Sequence, residues 1–279
     1  MNKLTKIALV LIIIGVIGSL LTIRSARDTS DWETIEQSFP AHELVNIDIE
    51  STNAKVEILP TTDEDITVSY SNENAKEHFT ADVNDSTLFI RVNYKKGFSF
   101  RFFPEEQLLT VHLPKKTYDQ IKVMNNNGYL DANQVEAADI RLSTNNGKVI
   151  INEAKASMLH AESNNGSIQL SHVTTEQVDV RTKNGKIELH EVSGGLTGQT
   201  NNGEIKLVTT SLEQMIDFTT DNGTITIETE QEPTNAILDL RTNNGRIKVF
   251  GQSDWDTVIG NGEHVVKLTS KNGNITITN

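Results

Sequence analysis

The sequence contains no cysteine, which excludes disulfide bonds, thiolate metal sites, cysteine nucleophiles and lipid attachment through a cysteine. Apolar residues are also scarce, at 36% against roughly 45–50% in an average globular protein. A thin, elongated core is therefore favoured over a thick globular one. Positive charge is in deficit, because 25 Lys and Arg face 38 Asp and Glu, for a net charge of −13. This balance argues against nonspecific binding to nucleic acid or to an anionic membrane surface.

One long apolar run, Ile7–Ile23, contains no charged residue. Its seventeen residues span roughly 26 Å as a helix, at the short end of the transmembrane range. Basic residues flank it on both sides (Lys3, Lys6, Arg24, Arg27). A cleaved signal peptide is the alternative, but Ala26 has Arg24 two places before it, which is a poor cleavage site. We predict an uncleaved N-terminal transmembrane anchor over residues 1–27, with the bulk of the chain outside the cytoplasm under the positive-inside rule.

Asn-Gly occurs nine times, and eight of these pairs share one local pattern. Their glycines are spaced by 19, 19, 19, 18, 20, 22 and 28 residues (Gly128, Gly147, Gly166, Gly185, Gly203, Gly223, Gly245, Gly273). Apolar residues recur seven and five places before the glycine and two and four places after it, as Val178, Val180, Ile187 and Leu189 do around Gly185. Each unit is therefore a strand of period two, an Asn-Gly turn and a second strand of period two.

A serine or threonine stands three places before the glycine in seven of the units, on the inward parity. Inward hydroxyls at one offset fit units that stack in register, each hydroxyl bonding along the column. The alternative is an antiparallel meander, which Asn-Gly hairpins suggest; it would bury these hydroxyls without a common partner, at about 1–3 kcal/mol each. We predict an all-β fold, a single-chain parallel β-solenoid of about 19-residue coils, right-handed by the preference of parallel crossovers.

The pattern also predicts how the turns and the chain are organised. The turn asparagine should tolerate the left-handed conformation that glycine then continues. The pattern fits once more upstream, where Ala54 takes the glycine place. Four segments follow: an anchor over 1–27, a polar spacer over 28–43, an irregular N-terminal β region with the first coil over 44–120, and the regular solenoid over 121–279.

The segment Tyr94–Phe103 holds four of the nine phenylalanines, with three basic residues interleaved. Phe98, Phe100 and Phe102 alternate as the inward face of a strand would, which favours a strand that covers the open end of the solenoid. The alternative is a loop that contacts lipid headgroups or a partner protein. At the other end, the chain stops at Asn279 without a capping helix.

Repeated T-x-N-G-x-I-x-I units follow an L-x-V-x-L-P segment (Leu109, Val111, Leu113, Pro114) and an N-terminal anchor. In these features the sequence resembles the bacterial putative-adhesin β-helix family, a domain of unknown function. Within that family it resembles LiaG-like membrane-anchored proteins, which are encoded with cell-envelope stress systems. The resemblance covers about residues 43–279. It implies an envelope or surface role and supplies no catalytic residue to carry over.

No residue is assigned as catalytic, cofactor-binding or metal-binding. Glu153, His172 and Glu191 occupy equivalent outward places on adjacent coils. They are consistent with a weak metal site or a histidine poised between two acids, but a solvated charge ladder is favoured. Other outward acids recur along the repeat (Asp179, Asp217, Asp239), without the nonapeptides of calcium-binding solenoids. The G-x-S-x-G, H-E-x-x-H and Walker motifs are absent from the sequence.

The sequence therefore predicts a non-enzymatic, membrane-anchored binding or scaffold module in the cell envelope, without a cofactor. The expected partners are the membrane, through the N-terminal helix, and an envelope protein or cell-wall component, but not nucleic acid. The resemblance links this role to the envelope stress response or to adhesion. Two alternatives stay open: a structural solenoid that self-associates through its ends, and a carbohydrate-active β-helix enzyme. The coils are short for the second, because such enzymes build their clefts from long loops.

Overall fold

The structure, a computed structural model, describes residues 32–73, 75–93, 107–255 and 257–279. These residues form β-strands almost throughout, with a 3-10 turn at Ala41–Glu43 and one helical turn, α1, at Ala75–His78. Within the described ranges, no helix is long and apolar enough to cross a membrane. The predicted anchor over 1–27 and the segment Tyr94–Phe103 both lie outside these ranges.

Seven strands precede the regular repeat: β1 (Trp32–Pro40), β2 (Asn46–Ser51), β3 (Lys55–Thr61), β4 (Asp65–Glu73), β5 (Phe79–Asn84), β6 (Thr87–Val92) and β7 (Leu108–Pro114). Nine follow in the first part of the repeat: β8 (Tyr118–Asn127), β9 (Leu130–Asn133), β10 (Glu136–Asn146), β11 (Val149–Asn152), β12 (Lys155–Asn165), β13 (Ile168–Asn184), β14 (Ile187–Asn202), β15 (Ile205–Thr209) and β16 (Ile216–Asn222). The described chain ends with β17 (Ile225–Thr229), β18 (Ala236–Asn244), β19 (Ile247–Val249), β20 (Val258–Ile259), β21 (His264–Asn272) and β22 (Ile275–Thr278).

The strands stack into two columns of parallel strands, and each coil contributes to both. The column before the turn runs β6–β2–β8–β10–β12–β13–β14–β16–β21–β18. The column after the turn runs β7–β3–β9–β11–β13–β14–β15–β17–β22–β19. Equivalent residues of successive units lie side by side; Ile140, for example, stands between Ile121 and Leu159. The prediction of an all-β, solenoid-like stack of repeats is confirmed.

The inward positions of the repeat form one continuous apolar core along the stack. Ile187, in the middle of the stack, is 0% exposed, and so are Ile168 and Ile205 on the neighbouring coils. Side-chain sizes are matched between coils. A Cβ on Gly198 would lie 2.8 Å from Cδ1 of Phe218 on the next coil, so the glycine makes room for the aromatic ring. The core is therefore packed by complementarity along the stack as well as across it.

The upstream unit that the pattern identified is a coil of the same stack. Strand β2 pairs with β8, so that Ser51 stands opposite Asn125. The Nδ2 of Asn125 donates to the backbone carbonyl oxygen of Ala54 at 2.7 Å. Strand β3 pairs with β9 in the same way, with Val56 opposite Leu130. The prediction that Ala54 takes the glycine place in a first coil is confirmed.

At both ends, the spatial order of the coils departs from their order along the chain. At the N-terminal end, the coil β2–β3 lies between β6–β7 and β8–β9. At the C-terminal end, the coil β21–β22 lies between β16–β17 and β18–β19. Antiparallel strands then cover the ends: β5 on β6, β4 and β1 beyond β7, and β20 on β18. The sheet is mixed rather than wholly parallel as predicted, and the last coil of the sequence, β21–β22, is not the last coil of the stack.

Residues 32–43 belong to the folded body, although the sequence predicted a polar spacer over 28–43. Strand β1 pairs antiparallel with β4 from Trp32 to Pro40. The 3-10 turn that follows buries Ala41 to 3% exposure. The sequence analysis missed this strand because it lies at the edge of the sheet, where Ile35 and Phe39 are the apolar side chains that pack against the core among those the structure describes. One sparse apolar face on an edge strand gives a weak alternating pattern.

Polar side chains repeat at the turn as regularly as apolar ones repeat in the core. Seven inward hydroxyls donate to the carbonyl oxygen of a turn glycine on the neighbouring coil, at 2.9–3.5 Å (Thr144, Ser163, Thr182, Thr200, Thr220, Thr242, Ser270). The predicted bonding of the hydroxyls along the column is confirmed. The asparagines before the glycines form a second array, joined by Nδ2-to-Oδ1 hydrogen bonds of 2.8–2.9 Å. We call this array the asparagine ladder; in stack order it is Asn53, Asn127, Asn146, Asn165, Asn184, Asn202, Asn222, Asn272 and Asn244.

The turn glycines are required by close approach between coils, not by left-handed backbone geometry. Only Gly128 among the eight has a positive φ, at +137°, so the predicted left-handed turn was wrong. A Cβ on Gly166 or Gly203 would lie 1.8 Å from the carbonyl oxygen of the stacked glycine on the adjacent coil. No side chain fits in that space. Ala54 can carry a Cβ because the coil on its outer side, β6–β7, has no Asn-Gly pair between its strands.

Candidate functional site

The predicted ladder of Glu153, His172 and Glu191 lies where each coil turns from its post-turn strand into the next unit. Together with Gln134 these residues form what we call the corner column. All four have a left-handed backbone, with φ of 52° at Gln134, 54° at Glu153, 55° at His172 and 48° at Glu191. This conformation costs a non-glycine residue about 1–2 kcal/mol. The fold must therefore hold each corner in place by other interactions.

Hydrogen bonds between coils fix the corners at Gln134 and Glu153, and a buried residue follows all four corners. The backbone N–H of Gln134 donates to the carbonyl oxygen of Asn152, and that of Glu153 to Ser171, both at 2.9 Å. The residue after each corner turns inward and is buried (Val135, Ala154, Val173, Val192). The corner residues themselves are exposed. The repeat thus presents one polar side chain to solvent per coil, at a fixed position.

The carboxylates of the corner column accept hydrogen bonds from neutral groups, and no two charged side chains of the column form an ion pair with each other within the described residues. The Nε2 of Gln134 donates to Oε2 of Glu153 at 2.8 Å, and the Oγ1 of Thr210 donates to Oε2 of Glu191 at 3.2 Å. His172 makes no side-chain hydrogen bond or ion pair within the described ranges. Over the same ranges, no group of three or more His, Asp or Glu residues could hold a metal ion. The structure brings the three predicted residues onto adjacent coils without giving them a common ligand.

A groove of about 430 Å³ lies beside the corner column. Three successive coils contribute Gln134, Glu153 and His172 to its lining. The connector Lys115–Thr117, which carries the chain from β7 to β8, also lines it, together with the nearby strand ends (Leu59, Pro60, Leu113, Pro114). We call this space the corner groove. It lies between the connector and the first coils of the regular repeat.

The corner groove combines unpaired cations with hydrogen-bonded carboxylates. The ammonium groups of Lys115 and Lys155 are exposed and have no hydrogen-bond or ion-pair partner in the part of the chain that the structure describes. Glu136 accepts a hydrogen bond from Oγ1 of Thr117 at 2.7 Å. Glu153 accepts one from Gln134, as described above. With its apolar strand ends, the groove offers the mixture of an apolar surface and a few placed polar groups that is typical of ligand sites.

The connector is fastened to the N-terminal end of the stack by Lys116. Its Nζ donates to the backbone carbonyl oxygens of Ala41 and Leu44, and it lies 4.9 Å from the centroid of the Tyr118 ring. Burial lowers the pKa of Lys116, and Asp119 partly opposes this shift. Burial also raises the pKa of the Tyr118 phenol, which donates to the carbonyl oxygen of Pro114 at 3.3 Å. These contacts hold the connector side of the groove in one position.

The other outward acids are ion-paired on the pre-turn column. Each has a basic partner within 3.0 Å: Arg181 for Asp179, Lys267 for Asp217 and Arg241 for Asp239. Lys267 stands between Asp217 and Asp239 in the register because β21 is inserted between β16 and β18. Stacking in chain order would have set the two aspartates side by side, which is unfavourable.

Sequence analysis identified part of the corner column but missed the groove. Glu153 and His172 were found because they follow the repeat, whereas the connector precedes the first Asn-Gly unit and was not aligned with it. One signal was present: Lys115 and Lys116 are adjacent basic residues in an acidic chain, directly after a strand that ends at Pro114. The contacts of Lys116 with Ala41 and Leu44 are long-range in sequence, and no local pattern encodes them.

Solved structures resemble this fold over most of their length. A putative adhesin from Bacteroides fragilis NCTC 9343 has a TM-score of 0.54 and 16% sequence identity, covering 88% of this chain and 97% of that one. A putative lipid binding protein from Parabacteroides distasonis ATCC 8503 has a TM-score of 0.55 and 16% identity, covering 90% and 98%. At this level of identity the similarity bears on the fold alone.

Among curated proteins, none matches this chain. A family model described as Toastrack DUF4097 matches residues 44–278, a range that includes both ends of the stack and the corner groove. The predicted resemblance to a putative-adhesin family of unknown function is confirmed by this match and by the structural neighbours. The narrower similarity to LiaG-like proteins stays a prediction. Because the match spans most of its length, the chain belongs to the Toastrack DUF4097 family.

Proposed function

We propose that this chain is a binding or scaffold module of the cell envelope, anchored in the membrane by its N-terminal segment with the solenoid body outside the cytoplasm. The uncharged run Ile7–Ile23 supports the anchor, and Lys3 and Lys6 before it support a cytoplasmic N-terminus. The names of the two structural neighbours, an adhesin and a lipid binding protein, favour a role in attachment. The family resemblance adds a link to envelope stress.

The corner groove is the observation that carries this proposal. Its coil side is built on stacked strands and its connector side is held by Lys116, so the groove is formed before any ligand arrives. Preformed sites avoid the entropic cost of ordering on binding. We propose binding without catalysis, because Glu136 and Glu153 are exposed to water, whereas catalytic electrostatics depend on groups held in a water-excluded site.

Crosslinking in cells tests the groove. A photoreactive amino acid replaces His172, which lines the groove, in the full-length chain. The matched control places it at Lys183, which is exposed next to the asparagine turn and does not line the groove. We expect an envelope protein or wall component to be captured from position 172 and not from position 183. Equal capture at both positions, or none at 172, would contradict a groove-directed function.

Complementation of a deletion strain tests anchoring and separates binding from catalysis. A secreted chain beginning at Asp28 should fold but complement poorly, because the module would no longer be held at the membrane. Full-length His172→Ala should complement close to wild type in a wall-active antibiotic assay, because His172 has no partner to lose within the described residues. The double variant Lys115→Glu/Lys155→Glu should complement poorly. A folded His172→Ala protein as defective as the deletion would instead indicate a reactive site on this face.

A further inference from the structure

Each Asn-Gly pair in the repeat can undergo an intramolecular reaction. The backbone nitrogen of the glycine attacks Cγ of the asparagine side chain, a C–N bond closes a succinimide ring, and the side-chain nitrogen leaves as ammonia. Water then opens the ring to aspartate or isoaspartate. One amide and one water thus become one carboxylic acid and one ammonia, and the chain gains a negative charge. Asparagine is a thermolabile residue for this reason, and a following glycine offers the least steric hindrance to the attack.

Inside the stack, hydrogen bonds hold both reacting groups. The N–H of Gly185 donates to the backbone carbonyl oxygen of Asn202 at 3.1 Å, and five other turn glycines make the equivalent bond (Gly128, Gly166, Gly203, Gly223, Gly273). The side chain of Asn184 donates to Asn165 and accepts from Asn202, both bonds being rungs of the asparagine ladder. Attack at this position requires the glycine bond and two rungs to break together. The ladder therefore holds the interior asparagines away from the geometry that the reaction needs.

Asn244 and Gly245 lie in the outermost coil, where only part of this hydrogen bonding is present among the described residues. The side chain of Asn244 donates to Oδ1 of Asn272 at 2.8 Å, but in the described part of the chain nothing donates to its own Oδ1. The outermost coil is β18–β19, so no further coil is present among the described residues to accept the Gly245 N–H. Strand β20 covers β18 only at Ala236 and Ile237. Residues 243–246 are all exposed.

We propose that Asn244 is a site of spontaneous deamidation in the folded protein, and that the asparagine ladder protects the interior Asn-Gly pairs from the same reaction. Aspartate at this position has no Nδ2 donor, and its carboxylate would face the Oδ1 of Asn272, so the last rung breaks. Isoaspartate also adds a backbone carbon and disturbs the register between β18 and β21. The modification therefore loosens the terminal coil, where Leu240 and Ile247 are only half-buried, and leaves the interior intact.

Peptide mapping by mass spectrometry tests this proposal. The full-length chain is incubated in detergent micelles at mildly alkaline pH, where the attacking nitrogen is more readily deprotonated. Conversion at Asn244 should be at least about tenfold faster than at Asn165, Asn184 and Asn222, because each rung and glycine bond that must open slows the reaction. The same chain unfolded in guanidinium chloride is the control. There the four sites should convert at comparable rates, since they share the Asn-Gly sequence.

Either of two results would overturn the proposal: interior sites that convert as fast as Asn244 in the folded chain, or an Asn244 that is as resistant as they are. Asn244→Gln assigns the product, because glutamine forms the corresponding six-membered ring much more slowly. This variant should lose the early product and leave the interior rates unchanged. An early product in another pair of the ladder that persists in Asn244→Gln would place the reaction elsewhere and equally contradict the proposal. The ninth pair, Asn261-Gly262, has an exposed asparagine outside the ladder, so its peptide is quantified separately.

Discussion

The interior of the stack and its two ends follow different rules. From β8 to β17, each coil lies next to the coil that precedes it in the chain. At the two ends, the chain's own terminal coils, β2–β3 and β21–β22, lie second from the end and are enclosed by a coil from further inside the sequence. A local repeat is sufficient to build the interior. The ends require a long-range exchange, because a repeat by itself leaves an open edge and an exposed apolar face.

The exchanged order of the coils also places basic residues beside the acidic residues of the last coils. Lys267, on the inserted strand β21, stands between Asp217 and Asp239 and forms an ion pair with Asp217 at 3.0 Å. Lys271 on the same strand pairs with Asp221. The inserted coil therefore carries cations that the coils on either side lack at these positions. The order of the coils is supported by charge as well as by completed strand edges.

The largest expected difference between interior and end concerns burial of a charge. Ile187→Asp places a carboxylate at a position that is 0% exposed, and should lower the free energy of unfolding by about 3 kcal/mol or more. Ile247→Asp, at the equivalent but half-buried position of the outermost coil, should cost only about 1–2 kcal/mol. Lys183→Asp, on the exposed surface, should stay within about 0.5 kcal/mol of wild type. Chemical denaturation measures all three, and equal losses for Ile187→Asp and Ile247→Asp would contradict the difference in burial.

The next largest effect concerns the turn glycines. Gly203→Ala would place a Cβ 1.8 Å from the carbonyl oxygen of Gly185, and the backbone shift needed to relieve this overlap should cost about 3 kcal/mol. Gly251→Ala is the control at the C-terminal end. Its φ is +79° and nothing lies within 4 Å of the added Cβ, so only backbone strain of about 1 kcal/mol is expected. Equal melting temperatures for the two variants would mean that the coils do not approach as closely as described.

At the N-terminal end, alkaline pH should weaken the fold through Tyr118. Burial raises the pKa of this phenol above its ordinary 10.0, so the unfolded chain releases the proton first. The contribution is fully present below pH 10 and is lost as the pH rises above it. Lys116 acts in the opposite sense, because its pKa is lowered. The comparison is therefore wild type against Tyr118→Phe, by denaturation from about pH 8 to pH 11. The stability difference should shrink above pH 10, and a constant difference would contradict the burial effect.

The smallest effect tests the exchanged order at the C-terminal end. Lys267→Glu removes an exposed ion pair and aligns three acids across β16, β21 and β18. It should cost about 1 kcal/mol at low salt and less at high salt, where screening is stronger. Lys183→Glu makes the same charge change away from the column and should have a smaller effect. If the two variants lose stability equally at low salt, Lys267 does not lie between two aspartates.

The interior of the stack could be predicted from the sequence, whereas much of its two ends could not. The interior coils, their inward residues and the hydroxyl column were predicted because each unit repeats the same local pattern, as Val178 and Ile187 do around Gly185. The spacer was partly wrong because β1 lies at an edge with few apolar residues. The predicted role of the turn glycines, a left-handed backbone, was wrong. Glycine is required there because a Cβ would overlap a carbonyl oxygen of the adjacent coil, and such a contact between coils is not visible in the local sequence pattern. The connector side of the corner groove was not predictable, since Lys116 is held by Ala41 and Leu44, which lie 75 and 72 residues away in the sequence.

The asparagine ladder also has a net dipole along the stack. Every rung donates from Nδ2 toward the N-terminal end of the stack, so the side-chain amide dipoles add instead of cancelling, much as peptide dipoles add along a helix. The ladder ends in the side-chain Oδ1 of Asn244, which is the negative pole of this array. Continuing it requires a donor at this pole and an acceptor at the other. The coil β6–β7 lies beyond Asn53, so within the described residues the ladder is covered by a further coil at one pole and is open only at Asn244.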